Sequence, residues 1–118
     1  MKESLLKFSL TKLLDGYRMA KRLDYIRVNS GMLKGGAYTN RFGVTKDRLI
    51  KLARAGTPDI IIFFPNGKTV FMELKSDTGT QTDAQKEYQA NIERLGFNYY
   101  LIFSIEQAMT VISSIVNI

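Results

Sequence analysis

Asp59 and Glu73 stand 14 positions apart, and Lys75 follows Glu73 by two. Both acids fall in apolar runs, 59–64 and 69–75, that read as the paired strands of one hairpin. Two carboxylates and an ammonium on one sheet face make poor packing. They suit a divalent-metal site acting on a phosphodiester. Directly opposed side chains in a sheet have Cβ atoms about 5 Å apart, where like charges destabilise the pairing. A bound cation relieves that repulsion, and oxygen-only ligands favour Mg²⁺ or Mn²⁺ over softer metals.

Whether the acids face each other depends on the turn Pro65-Asn66-Gly67-Lys68. A two-residue Asn-Gly turn would set Pro65 opposite Lys68 and Asp59 opposite Leu74, leaving Glu73 on the other side. A three-residue loop, with Pro65 and Asn66 in a type I turn and Gly67 left-handed, would set Phe64 opposite Lys68, Ile61 opposite Phe71 and Asp59 opposite Glu73. The second is preferred because it uses the fixed backbone angle of Pro65 as well as the freedom of Gly67.

Several chemistries are excluded by composition. The chain of 118 residues suits one domain with one core, taken as 1–118. It has no cysteine, hence no disulfide or thiolate site, and no histidine, hence no Ser-His-Asp or histidine-based chemistry. Carboxylates, lysine, hydroxyls and metal-activated water remain. No apolar run nears the roughly 20 residues that span a bilayer, and the first residues lack a signal peptide's apolar stretch. The expectation is a soluble, cytoplasmic protein with no membrane partner and no small-molecule cofactor. Seventeen basic against eleven acidic residues give a net charge of +6, with the basic excess concentrated in the first half. Such a balance attracts polyanions, and Lys and Arg contacts to phosphate give sequence-independent affinity. Arg27, Asn29, Lys46, Arg48, Lys51 and Arg54 are the candidate nucleic-acid contacts.

The elements that must position these residues follow from periodicity and punctuation. Leu6, Leu10, Leu13, Leu14 and Tyr17 make a helical stripe over 3–17, with Gly16 an end or a kink. Residues 25–28 read as a strand. The span 29–43, rich in Gly, Ser, Asn and Thr, reads as a mobile loop. Residues 48–53 lean towards extended. Thr82-Asp83-Ala84-Gln85 is a capping box opening a helix to about Leu95, stopped by Gly96. Residues 98–103 form a buried strand, and Ser104-Ile105-Glu106-Gln107 caps a last helix through about Val116. Tyr88, Phe97, Tyr99, Tyr100 and Phe103, at helix or strand spacing, read as core or interface residues. The order α-β-β-β-α-β-α describes an α/β domain, a mixed sheet flanked by helices.

This order, with Arg27-Val28-Asn29-Ser30-Gly31, Gly56-Thr57-Pro58-Asp59-Ile60, Glu73-Leu74-Lys75 and Gln85, resembles the PD-(D/E)XK nuclease superfamily and its VRR-NUC (virus-type replication-repair nuclease) branch. The resemblance runs along essentially the whole chain. It implies a restriction-endonuclease-like core, with Asp59 and Glu73 as metal ligands for Mg²⁺ or Mn²⁺ and Lys75 as the catalytic lysine. It also implies support of the site by Gln85 and a further ligand from Glu3 on the first helix. The glutamine usual after that glutamate is missing, since Leu6-Lys7 stands there. Gln85 has a second reading as the capping residue of its helix, and Glu3 as a first-turn acid that favours the helix dipole. Lys75 can pair with the carboxylates and serve catalysis at once. Stand-alone members look like junction resolvases, so the resemblance implies a homodimeric endonuclease on branched DNA such as four-way junctions, in a phage setting. The alternative is a non-catalytic nucleic-acid-binding accessory protein on a degenerate nuclease core.

Overall fold

The computed structural model describes residues 2–28, 32–51 and 53–116. Its elements are α1 (Glu3–Met19), β1 (Asp24–Arg27), β2 (Met32–Thr39), β3 (Thr45–Lys51), β4 (Ile60–Phe63), β5 (Thr69–Leu74), α2 (Asp83–Arg94), β6 (Asn98–Ile102) and α3 (Ile105–Val116). Four strands form a mixed sheet in the order β1-β4-β5-β6. The first three are antiparallel, and β6 joins β5 in parallel across the α2 crossover. Without β2 and β3, the order is the α-β-β-β-α-β-α expected from the sequence.

Strand alternation divides the sheet into two unlike faces. Ile60, Ile62, Phe64, Val70, Met72, Leu74 and Ile102 point to one face. There they meet Leu6, Leu10 and Leu14 of α1 and Ala108 and Ile112 of α3 in a single core. The predicted α1 stripe is therefore the buried one, with Leu13 and Tyr17 at its margin. Gly16 neither ends nor breaks α1, which continues to Met19. The opposite face receives Ile61, Phe71, Glu73 and Tyr99. Over it lies α2, a largely polar helix with no fully buried residue.

The turn sets the register. Ile61 pairs with Phe71 and Phe63 with Thr69, and Phe64 N–H donates to Lys68 O at 2.8 Å. This is the three-residue register, one step from which Asp59 lies across from Glu73. The loop itself differs from expectation. Pro65–Gly67 form one 3₁₀ turn in which Asn66 (φ 66°, ψ 22°) is left-handed as well as Gly67. Asparagine tolerates that conformation, so the first half is not a type I turn.

The span 29–43 is not a loop throughout. Its residues 32–39 form β2, which pairs antiparallel with β3 in a separate two-stranded sheet. The glycines that suggested a loop, Gly35 and Gly36, sit where the register slips between Lys34 and Ala37. Glycine in a strand commonly marks such a bulge. The extended reading of 48–53 holds through Lys51. The β2–β3 hairpin projects as an arm, and the molecule measures 62 × 31 × 31 Å. Among the described residues no helix is long and apolar enough to cross a membrane.

The approach to Asp59 depends on one glycine. Gly56 has φ +86°, and a Cβ there would come within 2.3 Å of the Ala84 carbonyl oxygen at the start of α2. Gly16, on an exposed turn of α1, has open space where a Cβ would go. Gly56→Ala should therefore cost more than about 2 kcal/mol through left-handed strain and backbone collision. Gly16→Ala should add about 0.5–1 kcal/mol. Urea unfolding of the two variants beside the parent measures both; equal midpoints would contradict this packing of 56 against α2.

Candidate active site

Pro58 is fully buried, and the turn before it is closed by Thr57 N–H donating to the Arg54 carbonyl at 3.2 Å. Two further bonds fix Asp59. Its carbonyl accepts from Val28 N–H at 2.8 Å, and its Oδ2 accepts from Leu74 N–H at 2.7 Å. The carboxylate is thus held in place by the backbone of the strand that bears Glu73.

Glu73 is 1% exposed, the one charged residue in the buried set among the described residues. Alternation puts it on the α2 side of the sheet, where Tyr99 OH donates to its Oε1 at 2.5 Å. Its Oε2 has no hydrogen-bond partner and lies 4.0 Å from Lys75 Nζ. Burial is the main reason its pKa is raised above the ordinary glutamate value. The Tyr99 hydroxyl, the Lys75 ammonium and the Gln81 amide oppose that rise, while the Asp59 charge adds to it. The Tyr99 phenol is pushed well above its usual range, first by burial and then by the carboxylate it serves. Lys75 is largely covered, its stem packed under the turn that Gly79 N–H closes onto Ser76 O.

A second cation, which the sequence did not single out, also reaches the pair. Lys7 Nζ, from α1, lies 3.5 Å from Asp59 Oδ1. The site therefore consists of Asp59 and Glu73, flanked by Lys7 and Lys75 and supported by Tyr99 and Gln81. One signal for Lys7 was visible, its position where a glutamine was expected. Tyr99 reads from the sequence as a core or interface residue; nothing local marks it for a carboxylate 26 residues away.

Two sequence expectations need correction. Gln85 is not directed at the carboxylates. Its Oε1 accepts from Thr82 N–H at 2.8 Å and its N–H donates to Thr82 Oγ1 at 3.2 Å, the reciprocal capping box. The amide near Glu73 is that of Gln81, just before the N-cap Thr82; it donates to Gln89 Oε1 at 2.9 Å. Glu3 is exposed in the first turn of α1. Among the described residues no three acids come together, so Glu3 does not complete a ligand set. A helix advances 100° per residue, and the face that reaches Asp59 is occupied one turn on by Lys7.

Of the proposed nucleic-acid contacts, Arg27 is exposed at the end of β1, beside Ile60 in the register. Arg54 is exposed before the turn leading to Asp59, and Lys46 is exposed on β3. Arg48 and Lys51 lie further along β3, and Asn29 falls outside the described residues.

The donor set fits a hard divalent cation. It offers oxygen ligands only, and Glu73 Oε2 is a buried acceptor with no hydrogen bond. Mg²⁺ commonly takes one or two carboxylates and completes its shell with water and phosphate oxygens. Two acids therefore suffice without a third.

Comparison with known proteins agrees at the level of fold. A solved structure described as a VRR_NUC domain superposes on this chain with a TM-score of 0.63, covering 96% of each chain at 15% sequence identity. No protein-family model matches the chain, and no curated protein matches it. The fold is thus VRR_NUC-like.

The raised pKa of Glu73 has a consequence for stability. A carboxyl whose folded-state pKa lies above its usual 4.5 stabilises the fold when protonated, below that value. That contribution is lost as pH rises through the folded pKa. Glu73→Gln should therefore melt above the parent at neutral pH in EDTA, and the gap should close as pH falls towards 4.5. Melting curves across that range test it; a gap independent of pH would show that ionisation of Glu73 does not strain the fold.

Proposed function

We propose that this chain is a metal-dependent endonuclease that hydrolyses phosphodiester bonds of DNA. The observation that carries this reading is the pairing of Asp59 with Glu73, beside Lys75, on one face of a VRR_NUC-like sheet. Asp59 and Glu73 would hold Mg²⁺ or Mn²⁺. Bound there, such an ion supplies polarisation of a phosphate oxygen and acidification of water.

The remaining work belongs to the chain. Lys75, 4.0 Å from Glu73 Oε2, orients the attacking water and offsets the charge that grows on the phosphate oxygens. The Leu74 N–H and Tyr99 hydroxyl keep the two carboxylates in place. Once Asp59 is engaged elsewhere, Lys7 is freed from its 3.5 Å pairing and can hold a flanking phosphate. With no histidine in the chain, the reading is direct hydrolysis by water, without a covalent intermediate.

Branched DNA is the substrate class that fits best, with a homodimer as the working unit. In support, the fold carries no separate base-reading module among the described residues, so shape rather than sequence is the readable feature. Ile26 and Phe63, exposed on neighbouring strands of the sheet face that bears Glu73, offer an apolar surface to a second copy. Two sites so related by a twofold axis suit symmetric cuts across a four-way junction.

A labelled four-way junction and a matched linear duplex, incubated with the protein in Mn²⁺ or EDTA, provide the test. Cleavage should need the metal and vanish in Asp59→Ala, while Lys75→Ala should lose about a hundredfold or more in rate. Paired cuts confined to the junction, together with a dimeric mass in solution, are expected. Full metal-dependent cleavage by Glu73→Gln would refute the scheme. Binding without cutting under every metal would instead favour an accessory nucleic-acid-binding role.

A further inference from the structure

We propose that the β2–β3 arm is a base-stacking wedge. Phe42 at its tip stacks on an unstacked base at a DNA branch point, while the exposed Arg41 and Lys46 beside it hold the neighbouring phosphates. This deepens the nuclease reading and rests on it.

Three observations support the wedge. First, among the described residues β2 and β3 pair only with each other, in a sheet of their own on a molecule that measures 62 × 31 × 31 Å. Eight strand residues span roughly 26 Å, about three quarters of a turn of B-DNA. Second, residues 32–51 contain Lys34, Arg41, Lys46, Arg48 and Lys51 against Asp47 alone, so they hold +4 of the chain's net +6. An arm with that charge is matched to a polyanion. Third, the tip is built to hold an aromatic ring outward. Asn40 Oδ1 accepts from Phe42 N–H at 2.9 Å and from Val44 N–H at 3.1 Å. Asn40 N–H donates to Val44 O and Gly43 N–H to Asn40 O, both at 3.0 Å, with Gly43 at φ +76°. On this pinned turn Phe42 is 75% exposed and Val44 49% exposed, and the Arg41 guanidinium lies 4.8 Å from the Phe42 ring centre.

A single exposed apolar side chain is ordinary on a protein surface. Here the ring is held out by side-chain and backbone bonds at the end of a basic arm, with a cation over it. Base–aromatic stacking tolerates any sequence, because every base has a π face. A branch point supplies bases whose stacking is already interrupted, so the insertion cost of unstacking an intact step is reduced.

The test uses the full chain in EDTA, with 2-aminopurine placed at the branch of a four-way junction and, separately, inside a continuous duplex. The parent should bind the junction more tightly and change the 2-aminopurine signal only there. Phe42→Ala, at an exposed position and with an unchanged melting temperature, should lose the signal and reduce the junction-to-duplex affinity ratio about tenfold. Phe42→Trp should keep both. An unaltered ratio and signal in Phe42→Ala would overturn the wedge and leave the nuclease reading intact, since metal-dependent cleavage is scored separately on the same DNA. Failure of the parent to bind either DNA would overturn both. Binding to anionic vesicles in place of DNA would overturn the wedge in favour of a membrane-seeking tip.

Discussion

The arrangement depends on keeping a carboxylate out of water at the end of β5. Glu73 is there because strand alternation turns it away from the α1–α3 core and under α2. Burial of a charge is costly unless it is paired or hydrogen-bonded. The chain supplies one hydroxyl from Tyr99, one ammonium from Lys75 and the weaker influence of the Gln81 amide, and Oε2 has no hydrogen-bond partner among the described residues. A site finished for stability would have satisfied that oxygen. The same strand then uses its Leu74 N–H to hold Asp59, which adds a second negative charge to the first. The fold thus maintains an electrostatic strain, of the kind that a bound cation relieves.

Local signals account for much of this, because the decisive geometry is a hairpin. Pro65 and Gly67 set a loop length, loop length sets register, and register puts Asp59 across from Glu73. An error of one residue would have turned Glu73 to the opposite face. The capping box at Thr82 and the stop at Gly96 were legible for the same reason, since their partners lie within a few residues. Lys7 and Tyr99 are different. They meet the site only because α1 packs beside the sheet and β6 pairs parallel to β5, over separations of 52 and 26 residues. No window of sequence contains both partners. Gln85 shows the converse: a family pattern pointed it at the site, while a local hydrogen bond to Thr82 had first claim on its side chain. The arm was misread because Gly35 and Gly36 signal a break in pairing, and a bulge inside a strand satisfies that signal as well as a loop does.

The charges of the site nearly cancel. Asp59 and Glu73 face Lys7 and Lys75, so the pocket that would do the chemistry has little net attraction for a phosphate backbone. Affinity for a polyanion must come from elsewhere on the surface. A surplus of +4, equal to that of residues 1–28, lies on the short span 32–51, inserted between β1 and β4. Chain connectivity turns this separation into coupling. The arm leaves the sheet just after β1, and its return strand leads through Arg54 and the Gly56 turn into Asp59. A polyanion held along the arm is therefore held by the same segment of backbone that positions the first carboxylate. On the proposed reading, charge on the arm would capture a substrate without collapsing onto the acids, and the short link from Arg54 to Asp59 would bring the captured strand towards them.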